Sequence, residues 1–186
     1  MPYEASHLEE KLHRWGNYLQ NFRLPAWEEL PDTGLRMVEV VSLVKSWLNY
    51  LPEGLREERH VTAAAINNYV RLRAMPRPKM RRYYRIHLAY ILMICTLKQG
   101  LSLSMIQRLL PNDLAEEELR RRYETYAERH FRLTAEFART GLDASLASLD
   151  KYGDESARVL IESAAIVSSF SRLMAEKLLL LKDGDS

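Results

Sequence analysis

The stretch Thr62-Ala-Ala-Ala-Ile-Asn-Asn-Tyr-Val-Arg-Leu-Arg-Ala-Met-Pro-Arg-Pro-Lys-Met-Arg-Arg82 decides how this chain is read. Thr62 suits an N-cap, so a helix is expected from Ala63 to about Ala74, with Pro76 and Pro78 ending it. Helical spacing turns Ala63, Ile66, Val70 and Ala74 inward and leaves Ala64, Asn67, Asn68 and Arg71 outward. Met75 to Arg82 then reads as a basic loop with the composition of a small β-turn wing.

Charge is distributed unevenly around this stretch. From Arg59 to Asn112 there is no acidic residue, and ten are basic: Arg59, Arg71, Arg73, Arg77, Lys79, Arg81, Arg82, Arg85, Lys98 and Arg108. That leaves 17 of the 27 basic residues and all 25 acidic ones for the rest of the chain, a net of −8. A near-neutral protein that gathers positive charge in one segment has the electrostatic footprint of a surface that meets a polyanion. The plain alternative is a solvated charged face.

Working outward, the whole chain reads as all-α. Ser6-His7-Leu8-Glu9 has the form of a capping box, followed by Leu8, Leu12, Trp15, Leu19 and Phe22 at helical spacing. Pro25 and Pro31 frame a linker, Leu24 to Gly34. Met37, Val40, Val41, Val44, Trp47, Leu48 and Leu51 mark a second helix, stopped by Pro52-Glu53-Gly54 and followed by a polar loop, Leu55 to His60. Beyond the basic loop, an apolar helix is expected from Arg85 to Gln99, and Ser102 caps a short helix through Leu110. In Asp113 to Thr140, the residues Leu119, Tyr123, Tyr126, His130, Leu133 and Phe137 form a heptad seam. Asp154 to Lys182 repeats the pattern with Leu160, Ala164, Val167, Met174, Leu178 and Leu181, after a polar link between Gly141 and Gly153. The expected organisation is an N-terminal helix and linker at 1–34, a helix-turn-helix domain at 35–111, and a helical dimerisation or effector region at 112–186.

With 186 residues, 47% of them hydrophobic, the chain can bury a core in one domain or two small ones. The single Cys95 excludes an internal disulfide and a thiolate metal site, which fits a reducing compartment. Glu4, Glu9 and Glu10, with no apolar run between them, argue against a signal peptide. Ile86 to Leu97 is too short to span a bilayer. The expectation is a cytoplasmic chain with no membrane partner.

The basic segment works as a device for DNA. Asn can pair bidentately with adenine and Arg with guanine in a major groove that admits a helix, which makes Asn67, Asn68 and Arg71 the base readers. Tyr69, Arg77, Lys79, Arg81 and Arg82 suit phosphates, which hold register without reading sequence. Arg73 belongs to the same surface, and Thr62 at the helix N-terminus suits either role.

The order of residues carries two resemblances. Thr62 to Tyr69, Met75-Pro76, Arg82-Tyr83, His87-Leu88, Leu97-Lys-Gln-Gly-Leu-Ser-Leu103, then Ile106 and Leu109-Leu110, resembles a MerR-type helix-turn-helix over roughly Val61 to Pro111. The phrases Leu24-Pro-Ala-Trp-Glu-Glu-Leu-Pro-Asp32, Ile66-Asn-Asn-Tyr-Val70, Tyr83 with His87-Leu-Ala89, and Leu97-Lys-Gln99 are similar to those of a bacterial family known only as domain of unknown function 1836. Together the resemblances imply a transcriptional regulator. The chain departs from the MerR-type pattern at the long Pro52 to Val61 connection, at Tyr84 where a Ser or Thr cap is expected, and at Asn67 where Arg is common.

Other chemistry finds little in the chain. There is no phosphate-binding Gly loop, nucleophile motif or metal-ligand spacing, so neither an enzyme nor a cofactor is expected. Cys95 reads as a buried small hydrophobe. Tyr123, Tyr126 and His130 are candidates for an effector pocket, against the plainer reading of a core or dimer seam. The reading that best combines these features is a homodimeric regulator on a pseudo-palindromic double-stranded site. A non-enzymatic protein-interaction adaptor on the same scaffold is the alternative.

Overall fold

The computed structural model describes residues 5–50, 61–142, 156–182 and 184. Among them the chain is all-α. The helices are α1 (Ala5–Asn21), α2 (Met37–Trp47), α3 (Ala63–Arg71), α4 (Arg85–Leu97), α5 (Leu103–Leu109), α6 (Glu116–Glu136) and α7 (Ser156–Lys182). A 3-10 turn at Trp27–Glu29 and a π turn at Phe137–Gly141 complete the order. The expected stop at Pro52-Glu53-Gly54, the loop Leu55 to His60 and most of the link up to Gly153 lie outside the described residues. Contacts divide the chain into two compact units, Leu24–Glu128 and Met1–Arg23 with Arg129–Ser186.

In the unit Leu24–Glu128, α4 is the centre. Its sequence is apolar all round, and every residue from His87 to Thr96 is buried, which is what a helix without a polar face requires. The helix α2 packs on both α4 and α3, and α4 packs on α5. Trp27, Leu30, Val40, Val44, Leu48, Ile66 and Tyr69 complete this core.

Three of these elements start with the same device. The side chains of Glu29, Glu39 and His87 accept the backbone N–H three residues earlier, from Ala26, Arg36 and Tyr84, at 2.6, 2.6 and 3.0 Å. That is one half of a capping box. Thr62 and Ser102 cap α3 and α5 as their types suggest, accepting from Ala65 N at 3.0 Å and Met105 N at 3.3 Å.

The linker and the start of α6 belong to this same unit. The Tyr123 hydroxyl donates to Pro25 O at 2.7 Å, and its ring lies 6.0 Å from that of Trp27. The Tyr126 and Thr96 hydroxyls are 2.7 Å apart, and Tyr90 donates to Pro111 O at 2.6 Å. Arg120 pairs with Glu28 and, at 2.9 Å, with Glu124. The expected α6 seam is therefore corrected over its first half. Leu119 and Tyr123 are buried inside their own unit, whereas Leu133 and Phe137 are exposed.

In the other unit, Trp15 meets Phe137 edge-on at 6.2 Å, Phe22 meets His130 at 5.9 Å, and the Arg23 guanidinium lies 3.4 Å from the centre of the Phe131 ring. Helix α7 buries only Leu179 among its described side chains and leaves most of its apolar residues exposed.

A bridge ties the basic loop to the segment before α2. Leu35 and Tyr83 exchange N–H···O bonds at 2.8 and 2.9 Å, and Arg82 Nη1 donates to Gly34 O at 3.3 Å. Glycine is needed there for space, because a Cβ on Gly34 would stand 3.0 Å from Arg82 Cβ and 3.1 Å from the Tyr84 hydroxyl. Gly34→Ala is expected to lower stability by about 1–3 kcal/mol through overpacking, measured as a reduced urea midpoint at unchanged slope.

Candidate nucleic-acid interface

Helix α3 presents Asn67 and Arg71 as exposed side chains, with Asn68 half-buried between them. Arg71 Nη2 donates to Asn68 Oδ1 at 2.6 Å, so the guanidinium and the amide hold one another in place. The Thr62 hydroxyl serves α3 itself, as the N-cap acceptor. The sequence placed Tyr69 among the phosphate contacts, and the structure corrects this. Tyr69 is 1% exposed, hydrogen-bonded to Cys95, and points into the core. Ala63, expected inward, is exposed at the open first turn of the helix.

The end of α3 is three residues earlier than the apolar spacing suggested, and the backbone explains why. Ala74 N–H bonds to Tyr69 O at 2.8 Å and Arg73 N–H to Val70 O at 3.1 Å, with Arg73 at φ 57°. This is a Schellman ending, whose left-handed position is normally taken by glycine. Two amide side chains reinforce it: Gln107 Nε2 donates to Leu72 O at 2.6 Å and Asn112 Nδ2 to Arg73 O at 2.9 Å.

The loop that follows is a tight hairpin turn without a strand. Lys79 and Arg82 are bridged, Arg82 N–H bonds to Lys79 O at 2.8 Å, and the two residues between them, Met80 and Arg81, have φ of 48° and 61°. Positive φ at both central positions marks a type I′ turn, where Asn and Gly are the usual occupants. Met80 at its tip is 96% exposed, a feature the sequence reading missed because a lone methionine in a polar loop carries no periodic signal.

Arg73, Arg77, Lys79 and Arg81 are all exposed and form no ion pair with the described residues. Arg82 is half-buried and has one guanidinium nitrogen committed to Gly34 O. The sequence-expected set thus divides into exposed cations, the exposed Asn67, the Asn68–Arg71 pair, two structural members in Thr62 and Arg82, and the buried Tyr69.

His87 holds the loop from beneath. Its Nδ1 accepts Tyr84 N–H at 3.0 Å, so its Nε2 carries the proton and donates to Arg77 O at 3.1 Å. Burial lowers its pKa, and nearby Lys79 lowers it further, against the hydrogen bond to the Arg77 carbonyl, which raises it.

The profile of one family, described as a domain of unknown function (DUF1836), matches residues 25–128. The chain belongs to the DUF1836 family. The match ends where the compact unit Leu24–Glu128 ends and begins one residue inside it, so the family domain is the α4-centred unit that carries the basic loop. No curated protein and no solved structure matches the chain.

The candidate effector residues serve other ends. In the DUF1836 domain, Tyr123 and Tyr126 spend their hydroxyls on Pro25 and Thr96. Burial pushes the Tyr126 hydroxyl up to about 12. His130 meets Phe22 edge-on in the other unit. Cys95 is fully buried, and burial pushes its thiol up to about 12, which suits packing. Among the described residues, no three His, Cys, Asp or Glu side chains group as metal ligands, and no helix is long and apolar enough to cross a membrane.

Two outcomes test this geometry. Arg73→Gly is expected to raise stability by about 0.5 kcal/mol, because relief of a left-handed side chain of about 1–2 kcal/mol exceeds the entropy that glycine adds to the unfolded chain. Thermal unfolding reads it. His87 is favoured as the neutral imidazole in the fold, so its contribution is complete above the unfolded value of about 6.5 and diminishes as pH falls from there toward its lower folded value. His87→Gln keeps a side-chain acceptor for Tyr84 N–H without titrating. The variant is expected to lose less melting temperature than the wild type between neutral and mildly acidic pH.

Proposed function

We propose that the protein is a sequence-specific DNA-binding regulator of transcription, acting as a homodimer in the cytoplasm on a pseudo-palindromic double-stranded site. In this reading α3 enters the major groove, Asn67 and the Asn68–Arg71 pair contact base edges, and Arg73, Arg77, Lys79 and Arg81 contact phosphates.

One observation carries it. Arg73, Met80 and Arg81 occupy positive-φ positions where glycine or asparagine would fit at lower cost, and two of the three are cations with no ion pair among the described residues, in a window without a carboxylate. Strain of about 1–3 kcal/mol per residue is kept where surrounding structure enforces it, and such sites cluster at functional surfaces. Exposed cations without an ion pair among the described residues, next to a helix that presents Asn67 and the Asn68–Arg71 pair, are what a phosphate backbone and a groove would use. The family likeness is compatible with this reading, and the sequence resemblance to MerR-type helix-turn-helices favours it. The adaptor reading is favoured by a different feature, the bare apolar helix α7.

Retention on random duplex DNA at low salt is the first measurement, and no retention of the wild type sinks the proposal. The triple change Arg77→Ala, Lys79→Ala, Arg81→Ala is expected to reduce the slope of log affinity against log salt by about one per lost phosphate contact. On a selected operator, Asn67→Ala is expected to cost about 1–3 kcal/mol while non-specific binding stays the same.

A further inference from the structure

Helix α7 has an apolar face with the same pattern read in either direction. Phe170 stands at its centre, 68% exposed. Ile166 and Val167 precede it by four and three residues, and Leu173 and Met174 follow it by three and four. All four are exposed. Two turns further out, Val159 and Leu160 on one side answer Leu181 and Leu180 on the other. The polar interruptions answer one another too, with Ser163 and Lys177 each seven residues from Phe170. Spacings of three, four and seven put these residues on one side of an α-helix.

From this face we infer that α7 docks antiparallel on α7 of a second copy of the chain, with the two-fold axis at Phe170. Such a contact is isologous, so each residue before Phe170 meets the residue equally far beyond it on the partner helix. The symmetric pattern satisfies that condition, since apolar positions meet apolar ones and Ser163 meets Lys177. The area is sufficient. Ile166, Val167, Phe170, Leu173, Met174, Leu180 and Leu181 are each 41–68% exposed, an apolar surface on the order of the 800 Å² per partner of a standard stable interface.

Charge gives no other partner a handle. Arg158 pairs with Glu162 at 2.8 Å and Arg172 with Glu176 at 2.9 Å along the helix; Arg158, Arg172 and Glu176 lie off the apolar face and Glu162 at its edge. The central face keeps one charged residue, Lys177, too little to attract an anionic lipid surface. The inference rests on the dimeric part of the function proposed above and not on its DNA contacts.

The test uses the full chain and exploits its only cysteine. Cys95 is fully buried, so an introduced surface thiol is the reactive one. Under mild oxidation at low protein concentration, Phe170→Cys is expected to form a covalent dimer. Ile161→Cys, on the opposite side of the helix, is not. Ile166→Cys/Met174→Cys is expected to cross-link between chains while neither single change does so. In light scattering the wild type is expected at twice the chain mass, and Phe170→Glu at one chain mass with unchanged helical content. A wild-type monomer at tens of micromolar overturns the inference, as does a Phe170→Glu dimer. Cross-linking of Ile166→Cys alone overturns the antiparallel arrangement. A wild-type dimer that ignores DNA sinks the DNA reading and leaves this one standing.

Discussion

The His87 imidazole works at both nitrogens, and the basic surface depends on it. One nitrogen takes the Tyr84 N–H that would otherwise be orphaned at the start of α4, and the other gives its proton to the Arg77 carbonyl in the loop. A buried backbone group left without a partner costs about 1–3 kcal/mol, so either bond alone would justify a polar side chain in this position. Making both with one ring joins the core helix to a loop that, from Pro76 to Arg82, buries no apolar side chain. The Leu35–Tyr83 bridge and the approach of Arg82 to Gly34 complete the attachment from the other side.

That attachment allows the loop to keep an unfavourable backbone. Arg73 ends α3 in a left-handed conformation, and Met80 with Arg81 turns the hairpin in the same region of φ. A polypeptide selected only for stability would place Gly or Asn at these points. Here the fold carries the strain, and the side chains retained at those points are long and, in two cases of three, cationic.

Much of the fold could be read in the residues. The apolar runs with helical spacing appear as helices, Thr62 and Ser102 are caps, and the run Ile86 to Leu97, apolar on every side, lies in the α4 core. The misreadings have physical causes. Tyr69 carries a hydroxyl, which suggested a polar task, yet its ring packs inward one turn after Ile66 and its oxygen finds Cys95. The first half of the α6 seam looked like a surface for a partner, but Tyr123 is consumed by a carbonyl nearly a hundred residues earlier, and long-range pairing of that kind leaves no periodic trace. Most of the candidate interface was readable from charge alone. The left-handed backbone at Arg73, Met80 and Arg81 was not, because nothing in those side chains prefers it.

The Asn68–Arg71 bond and the fixed turns around it bear on the thermodynamics of any encounter with an anion. A free arginine on a helix samples many rotamers, and binding must then remove that freedom at a cost of about 0.5–1.5 kcal/mol per long side chain. Arg71 is already held by Asn68, and the turn backbone that bears Arg73 and Arg81 is already fixed. The ordering has taken place during folding. Association would therefore have a smaller entropic penalty and a residence time set by desolvation more than by rearrangement of the protein.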